Sequence, residues 1–296
     1  MAVVIIVVIV LGAYLYTQNW PPMVVVESGS MQHGPQDVPG LINAGDIVLV
    51  QKVPVPSGVI TYVQGLGSGY TSYGEYGDVI LYYPNGDTGA TPVVHRAILW
   101  LEYLPSSDTF AAPSLAPLEC GPQGQYLLEQ ASGGPACVSP ADPNAPIYGT
   151  IELLQVGWES ATVGITLAPL VQESPWSGYI TLGDGNGATY DQSGGCIISC
   201  LVQAGWVWGV ARGMIPWVGA LKLWVDGNAS RVPSNSWGYL GLSALLIGLA
   251  VVFLPRGIER YRRRRHPPSE REEPEAPAST QEDEEGDEDW GGSSGR

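Results

Sequence analysis

PVVHRAILWLE, Pro92–Glu102, is rich in β-branched and aromatic residues, and the Pro, Asn, Asp and Gly residues before it act as turn formers, so it reads as a strand. The same texture recurs in IVLVQKV (Ile47–Val53), DVILYY (Asp78–Tyr83), GYITLG (Gly178–Gly183) and WVWGVARGMI (Trp206–Ile215). Outside two long apolar runs no extended 3.6-residue period is found, and there is no internal repeat. The expectation is a mainly β domain. Tyr103–Ser177 differs: it is rich in Pro and Gly, and only IYGTIELLQVGW and ATVGITLAPLV within it read as strands. It is expected to be an insertion (103–177) carried by the β domain, since added loop length costs little closure entropy.

The two apolar runs are AVVIIVVIVLGAYLY (Ala2–Tyr16) and GYLGLSALLIGLAVVFL (Gly238–Leu254). Each is about 15–17 residues, slightly short of the roughly 20 that cross a bilayer core, and Trp20 and Trp237 extend them into the interface. A pair of buried helices is the plainer alternative. A cleavable signal would carry Lys or Arg before the first run and a small-x-small site after it, and neither is present. Two spans are therefore expected, flanking the β domain. Arg256, Arg260 and Arg262–Arg265 follow the second run, which puts that end in the cytoplasm by the positive-inside rule. With two spans the N-terminus is cytoplasmic as well, and the intervening domain faces outward. The expected division is an anchor at 1–19, an extracytoplasmic β domain at 20–235, a second span at 236–255 and a tail at 256–296. The tail is basic and then acidic, and too poor in apolar residues to fold.

The formal net charge is −16, and between the runs the only strong bases are Lys52, Arg96, Arg212, Lys222 and Arg231. A nucleic-acid partner, which needs a basic footprint, is excluded on this ground. All four cysteines, Cys120, Cys137, Cys196 and Cys200, fall in the outward segment, where disulfides persist. Three pairings are open to them, the sequence-local one being Cys120–Cys137 with Cys196–Cys200. No CxxC or His cluster accompanies them as a zinc site would require.

Three stretches carry candidate chemistry. In VVVESGSMQHG (Val24–Gly34), Ser30 offers a hydroxyl nucleophile and its own backbone N–H, and Ser28 a second donor, as nucleophilic attack and oxyanion stabilisation require. Ser-Gly-Ser is also ordinary loop composition. Of the three histidines, His266 lies in the cytoplasmic basic patch, and His33 sits in a loop with little to hold its orientation. His95 lies within a strand, which fixes side-chain direction, although a lone strand His is commonly structural. In GYITLGDGNGATYDQ (Gly178–Gln192), Asp184 and Asp191 offer the carboxylate that a Ser–His pair wants on the far ring nitrogen. GDGNG alone would be a turn or a weak cation loop.

The order of these stretches resembles the archaeal and endoplasmic-reticulum (Sec11-like) branch of the type I signal peptidases. The resemblance covers Trp20–Glu102 and Gly178–Trp224. SGSM (Ser28–Met31) looks like the nucleophile box, GDIVLVQKV (Gly45–Val53) like the strand after it, and GDVILYYP with VVHRAIL (Gly77–Leu99) like the block carrying the base. His95 stands where the bacterial branch has Lys. LGDGNGATYDQ looks like the family's GDNN…D block, followed by R-G-x-I-P-W (Arg212–Trp217). Asp184 and Asp191 lie one residue further apart than is usual, and the insertion at 103–177 has no counterpart in the family.

The resemblance implies a β catalytic domain resting on the outer leaflet, and a Ser-His-Asp mechanism. Its catalytic residues would be Ser30, His95 and Asp191, with Ser28 and Ser30 at the oxyanion and Asp184 as a supporting acid. It implies cleavage after small residues at −1 and −3 of signal-peptide-bearing preproteins, contact with membrane lipid and with the translocation machinery, and no metal or organic cofactor. Two alternatives stand beside it: an inactive membrane-tethered relative, and an outer-surface module binding a cation or glycan. A different serine hydrolase would be expected to carry G-x-S-x-G and alternating strands and helices, which are absent.

Overall fold

A computed structural model describes residues 2–129 and 144–265. The chain divides into two compact units, Met1–Ala244 and Leu245–Arg296. It opens with helix α1 (Ala2–Thr17), strands β1 (Met23–Val25) and β2 (Ile47–Gln51), helix α2 (Tyr62–Ser68) and a small hairpin of β3 (Thr71–Ser72) and β4 (Glu75–Tyr76). Strands β5 (Val79–Tyr82), β6 (Val93–Leu104), β7 (Thr109–Ala111), β8 (Tyr126–Glu129), β9 (Thr150–Val156) and β10 (Ala161–Thr166) follow. After them come α3 (Leu167–Glu173), β11 (Gly178–Leu182), the single turn α4 (Ser193–Cys196), β12 (Val207–Ile215), α5 (Ala220–Val225) and α6 (Ser234–Arg265).

The main sheet runs β1-β2-β12-β5-β6-β11, with β7 added beside β6, and every pairing is antiparallel. The five strands expected from composition all form, with ends within two residues of the quoted stretches. Central β5 is buried at every position because both sheet faces are covered. Val79 and Leu81 join Val26, Met31, Val48 and Val50 on one face, while Ile80 and Tyr82 join Tyr179 and Val210 on the other. Burial of Met31 against that first face is worth about 1.5–3 kcal/mol and pins the residue next to Ser30.

Four expectations need correction. The chain is mixed α/β with antiparallel sheets rather than mainly β. Short helices such as α2, closed by a Thr61–Gln64 capping box and a left-handed Gly69, interrupt the strands. Such helices of about two turns are too short to leave a sustained 3.6-residue signal in the sequence.

Next, the expected insertion at 103–177 holds the two strands read within it, as β9 and β10, but also β7, β8 and the end of β6. β6 itself runs on to Leu104, and β8, β9 and β10 form a second antiparallel sheet. Phe110, Tyr126, Ile151 and Val163 share one core with Leu99 of β6 and Ile180 of β11. The LAPLV end of the expected second strand is instead the start of α3.

One helix among the described residues, Ser234–Arg256 within α6, is long and apolar enough to cross a membrane, with 23 residues rising about 35 Å. The first run forms α1 of 16 residues, about 24 Å long, which falls short of a bilayer core of roughly 30 Å. Finally, the expected cytoplasmic tail is helical as far as Arg265; its acidic part and His266 lie outside the described residues. Cys196 and Cys200 form a disulfide, and a Cys120–Cys137 pairing lies outside the described residues because of Cys137.

Candidate active site

Three separate pieces of chain meet at the end of the main sheet. Ser30 follows edge strand β1 in a short turn, Gln32 N–H donating to the Gly29 carbonyl at 3.0 Å. The segment before Ser30 is tied down at Val26, whose N–H donates to the Asp46 carbonyl and whose carbonyl accepts from Gly45 N–H, each at 2.9 Å. His95 and Arg96 are neighbours on β6, so their side chains leave opposite faces of the strand. That divides the two aspartates between them.

Asp191 goes to His95. His95 Nδ1 lies 2.7 and 2.9 Å from the two Asp191 oxygens, and Nε2 lies 2.9 Å from Ser30 Oγ. With Nδ1–H donating to the carboxylate, Nε2 is left to accept the Ser30 hydroxyl proton. Asp191 is fully buried and is met by two further donors, the Tyr82 and Thr181 hydroxyls, each at 2.6 Å. Burial first, and then the Asp191 charge, push the Tyr82 phenol far above its ordinary value, so it stays a hydrogen-bond donor. Asp191 N–H donates to the Thr181 carbonyl at 2.9 Å, which folds the loop after β11 back onto the strand and carries the carboxylate to His95.

Asp184 goes to Arg96. The guanidinium grips it bidentately, Nε to Oδ1 at 2.7 Å and NH2 to Oδ2 at 2.6 Å, with Arg96 1% and Asp184 5% exposed. The remaining Arg96 nitrogen donates to the carbonyls of Ser72, Tyr76 and Gly77 at 3.0–3.1 Å. Burial alone would push the Asp184 carboxyl up, but the Arg96 charge and hydrogen bonds outweigh it and hold it below the usual carboxylate range. Asp184 is thus committed to Arg96, while the carboxylate on His95 is that of Asp191.

His33 is better held than its loop setting suggested. Its ring stacks on Trp158, centroids 5.5 Å apart at 14°, and Nε2 lies 3.4 Å from Asp184 Oδ2. Those contacts aim it at Asp184 rather than at Ser30. Ser28 Oγ is 3.2 Å from Ser30 Oγ, close enough to serve as a second donor beside that hydroxyl, and the Ser30 amide has no acceptor among the described residues.

Tyr82, Thr181, Arg96, Gly183 and Trp158 were not singled out from sequence. Arg96 had a usable signal: a charge inside the apolar run VVHRAIL demands a buried partner. Gly183 is required by close approach. A Cβ there would stand 2.6 Å from the Ser30 carbonyl oxygen and 2.8 Å from His95 Nε2. Gly183→Ala is therefore expected to lower any turnover that depends on the Ser30–His95 pair about 100-fold or more while the chain still folds, as displacements near 1 Å do at reacting groups. Steady-state kinetics alongside circular dichroism would check this.

The Ser30 hydroxyl opens into a cleft of about 880 Å³. Val24, Val26, Val93, Val94 and Ile198 supply apolar walls, and Lys222 and Arg231 its cationic groups. Lys222 is itself paired with Glu27 at 2.7 Å and Asp226 at 2.8 Å. The cleft runs beside β1, which among the described residues pairs only with β2 along one edge. No family model matches the chain, and no curated protein matches its sequence.

Proposed function

We propose that this chain is a membrane-anchored serine endopeptidase that removes signal peptides from exported preproteins, in the manner of the archaeal and endoplasmic-reticulum type I signal peptidases. The observation that carries this reading is the unbroken Ser30–His95–Asp191 hydrogen-bonded chain at the mouth of an apolar cleft. His95 Nε2 takes the Ser30 proton as the hydroxyl oxygen attacks the scissile carbonyl. The Ser30 amide and the Ser28 hydroxyl donate to the developing oxyanion. Protonated His95, facing Asp191, then passes the proton to the leaving amine, and a water activated by the same imidazole hydrolyses the acyl-enzyme. Every group these steps need belongs to the chain, so no metal or organic cofactor enters.

The edge of β1 away from β2 suits an extended peptide added as a further strand, with main-chain hydrogen bonds giving affinity and the valine-lined walls accommodating small side chains at −1 and −3. In this reading α6 anchors the protein in the cell membrane, and α1, apolar and exposed at most positions between Val4 and Tyr16, forms a shorter second anchor that makes the chain multi-pass. Both termini are then cytoplasmic and the catalytic domain extracytoplasmic, in reach of membrane lipid and the translocation machinery. A cation-binding module is less well supported. Both carboxylates of the Asp184–Asp191 loop are already committed, one to Arg96 and the other to His95.

The reading is tested with the full chain in lipid and a membrane-inserted preprotein. Cleavage on the C-terminal side of a small-x-small site is expected, abolished when the −1 residue is made large. Intact preprotein after prolonged incubation with folded enzyme would refute it.

A further inference from the structure

We infer that the turn joining β9 and β10 (residues 157–160) is a clamp that positions the nucleophile, with Trp158 as its key positioning residue. This rests on the reading of Ser30 as nucleophile given above. The Trp158 indole N–H donates to the Asp184 carbonyl at 3.1 Å, and its ring covers His33. Asp184 sits between two glycines that touch the Ser30 backbone. Gly185 N–H donates to the Ser30 carbonyl at 2.8 Å, and Gly183 has room for no side chain between that oxygen and His95. His33 in turn lies three residues beyond Ser30, with its ring against Asp184. One indole thus holds both strands of chain that frame Ser30.

The turn is itself anchored. Gly157 N–H donates to the Tyr62 hydroxyl at 3.1 Å, and Val156 and Val163 on either side of the turn are buried in the large shared core. Trp158 remains 42% exposed, so it contributes less to that core than to the two contacts it makes. The region 103–177 therefore has a use in catalysis through a turn outside the substrate cleft, which none of its described residues line.

The test compares wild type, Trp158→Phe and Trp158→Ala as full chains in lipid, by preprotein cleavage and by hydrogen exchange read on residues 183–187. Trp158→Ala is expected to lower kcat about tenfold with KM within about twofold, and to speed exchange at 183–187 about tenfold with β12 unchanged, as loss of a hydrogen bond and a ring contact would. Trp158→Phe keeps a ring over His33 but loses the indole N–H bond to the Asp184 carbonyl, so its kcat and its exchange at 183–187 should fall between those of wild type and Trp158→Ala. Unchanged exchange, or faster exchange with unchanged kcat, overturns the proposal; so does a lowered melting temperature as the sole effect. A wild type that cleaves no preprotein, with exchange at 183–187 still dependent on Trp158, refutes the peptidase reading and leaves the clamp standing.

Discussion

Ser30→Ala and His95→Ala are each expected to lower preprotein cleavage on the order of 10⁴-fold or more, with folding intact, because the attacking oxygen and its base act as one unit. Asp191→Asn should fall in the same range. An amide can donate to Nδ1, which would place the imidazole proton on Nε2 and leave nothing to accept the Ser30 hydroxyl. The geometry makes this effect specific to one acid, since Asp191 is 2.7 Å from His95 Nδ1 while Asp184 faces Arg96. Asp184→Asn should keep activity within about tenfold, for it can still accept one Arg96 hydrogen bond. Single-turnover cleavage at equal enzyme concentrations separates the two. A large loss in Asp184→Asn with retained activity in Asp191→Asn would reverse their assignment, and full activity in Ser30→Ala would remove the mechanism.

Arg96→Ala should be the most destabilising of the substitutions considered. It strands a buried carboxylate and three backbone carbonyls that Arg96 now satisfies. Breaking one side of such a pair costs about 3–5 kcal/mol, a large part of the roughly 5–15 kcal/mol that holds a domain folded. The loss should depend on pH in a defined direction. In the wild type the Asp184 pKa is held below its unfolded value near 3.9, so the pair's contribution is complete above that value and is lost as pH falls through the folded one. Without Arg96, burial raises the Asp184 pKa instead, and the carboxyl is tolerated best when protonated. The stability gap between wild type and Arg96→Ala should therefore be widest near neutral pH and narrow on acidification. Urea unfolding of both proteins at several pH values, followed by tryptophan fluorescence, measures that gap; a gap that widens toward acid would contradict the assignment.

How much of this was legible beforehand follows from which interactions are local. Five of the seven strands of the main sheet could be read from runs such as IVLVQ and VILY, because β-branched content and bounding turn residues act over a few neighbours. The apolar length of α6 is equally a property of contiguous residues, and so was the nomination of Ser30 and His95 as partners of suitable chemistry. Contacts across long stretches of chain are another matter. Ser30 and His95 are 65 residues apart and His95 and Asp191 are 96 apart, so their meeting depends on β6 pairing with both β5 and β11 in one register. That register gives Asp191 to His95 and Asp184 to Arg96, a choice that chain spacing left open because both acids lie on the same loop. The packing of β7, β8, β9 and β10 into the core shared with β6 and β11, and the reach of Trp158 to Asp184, were hidden for the same reason. Composition and periodicity report on a segment and its own turn chemistry, whereas which segments share a core, and which side chain closes over which backbone, emerges only when the whole chain packs.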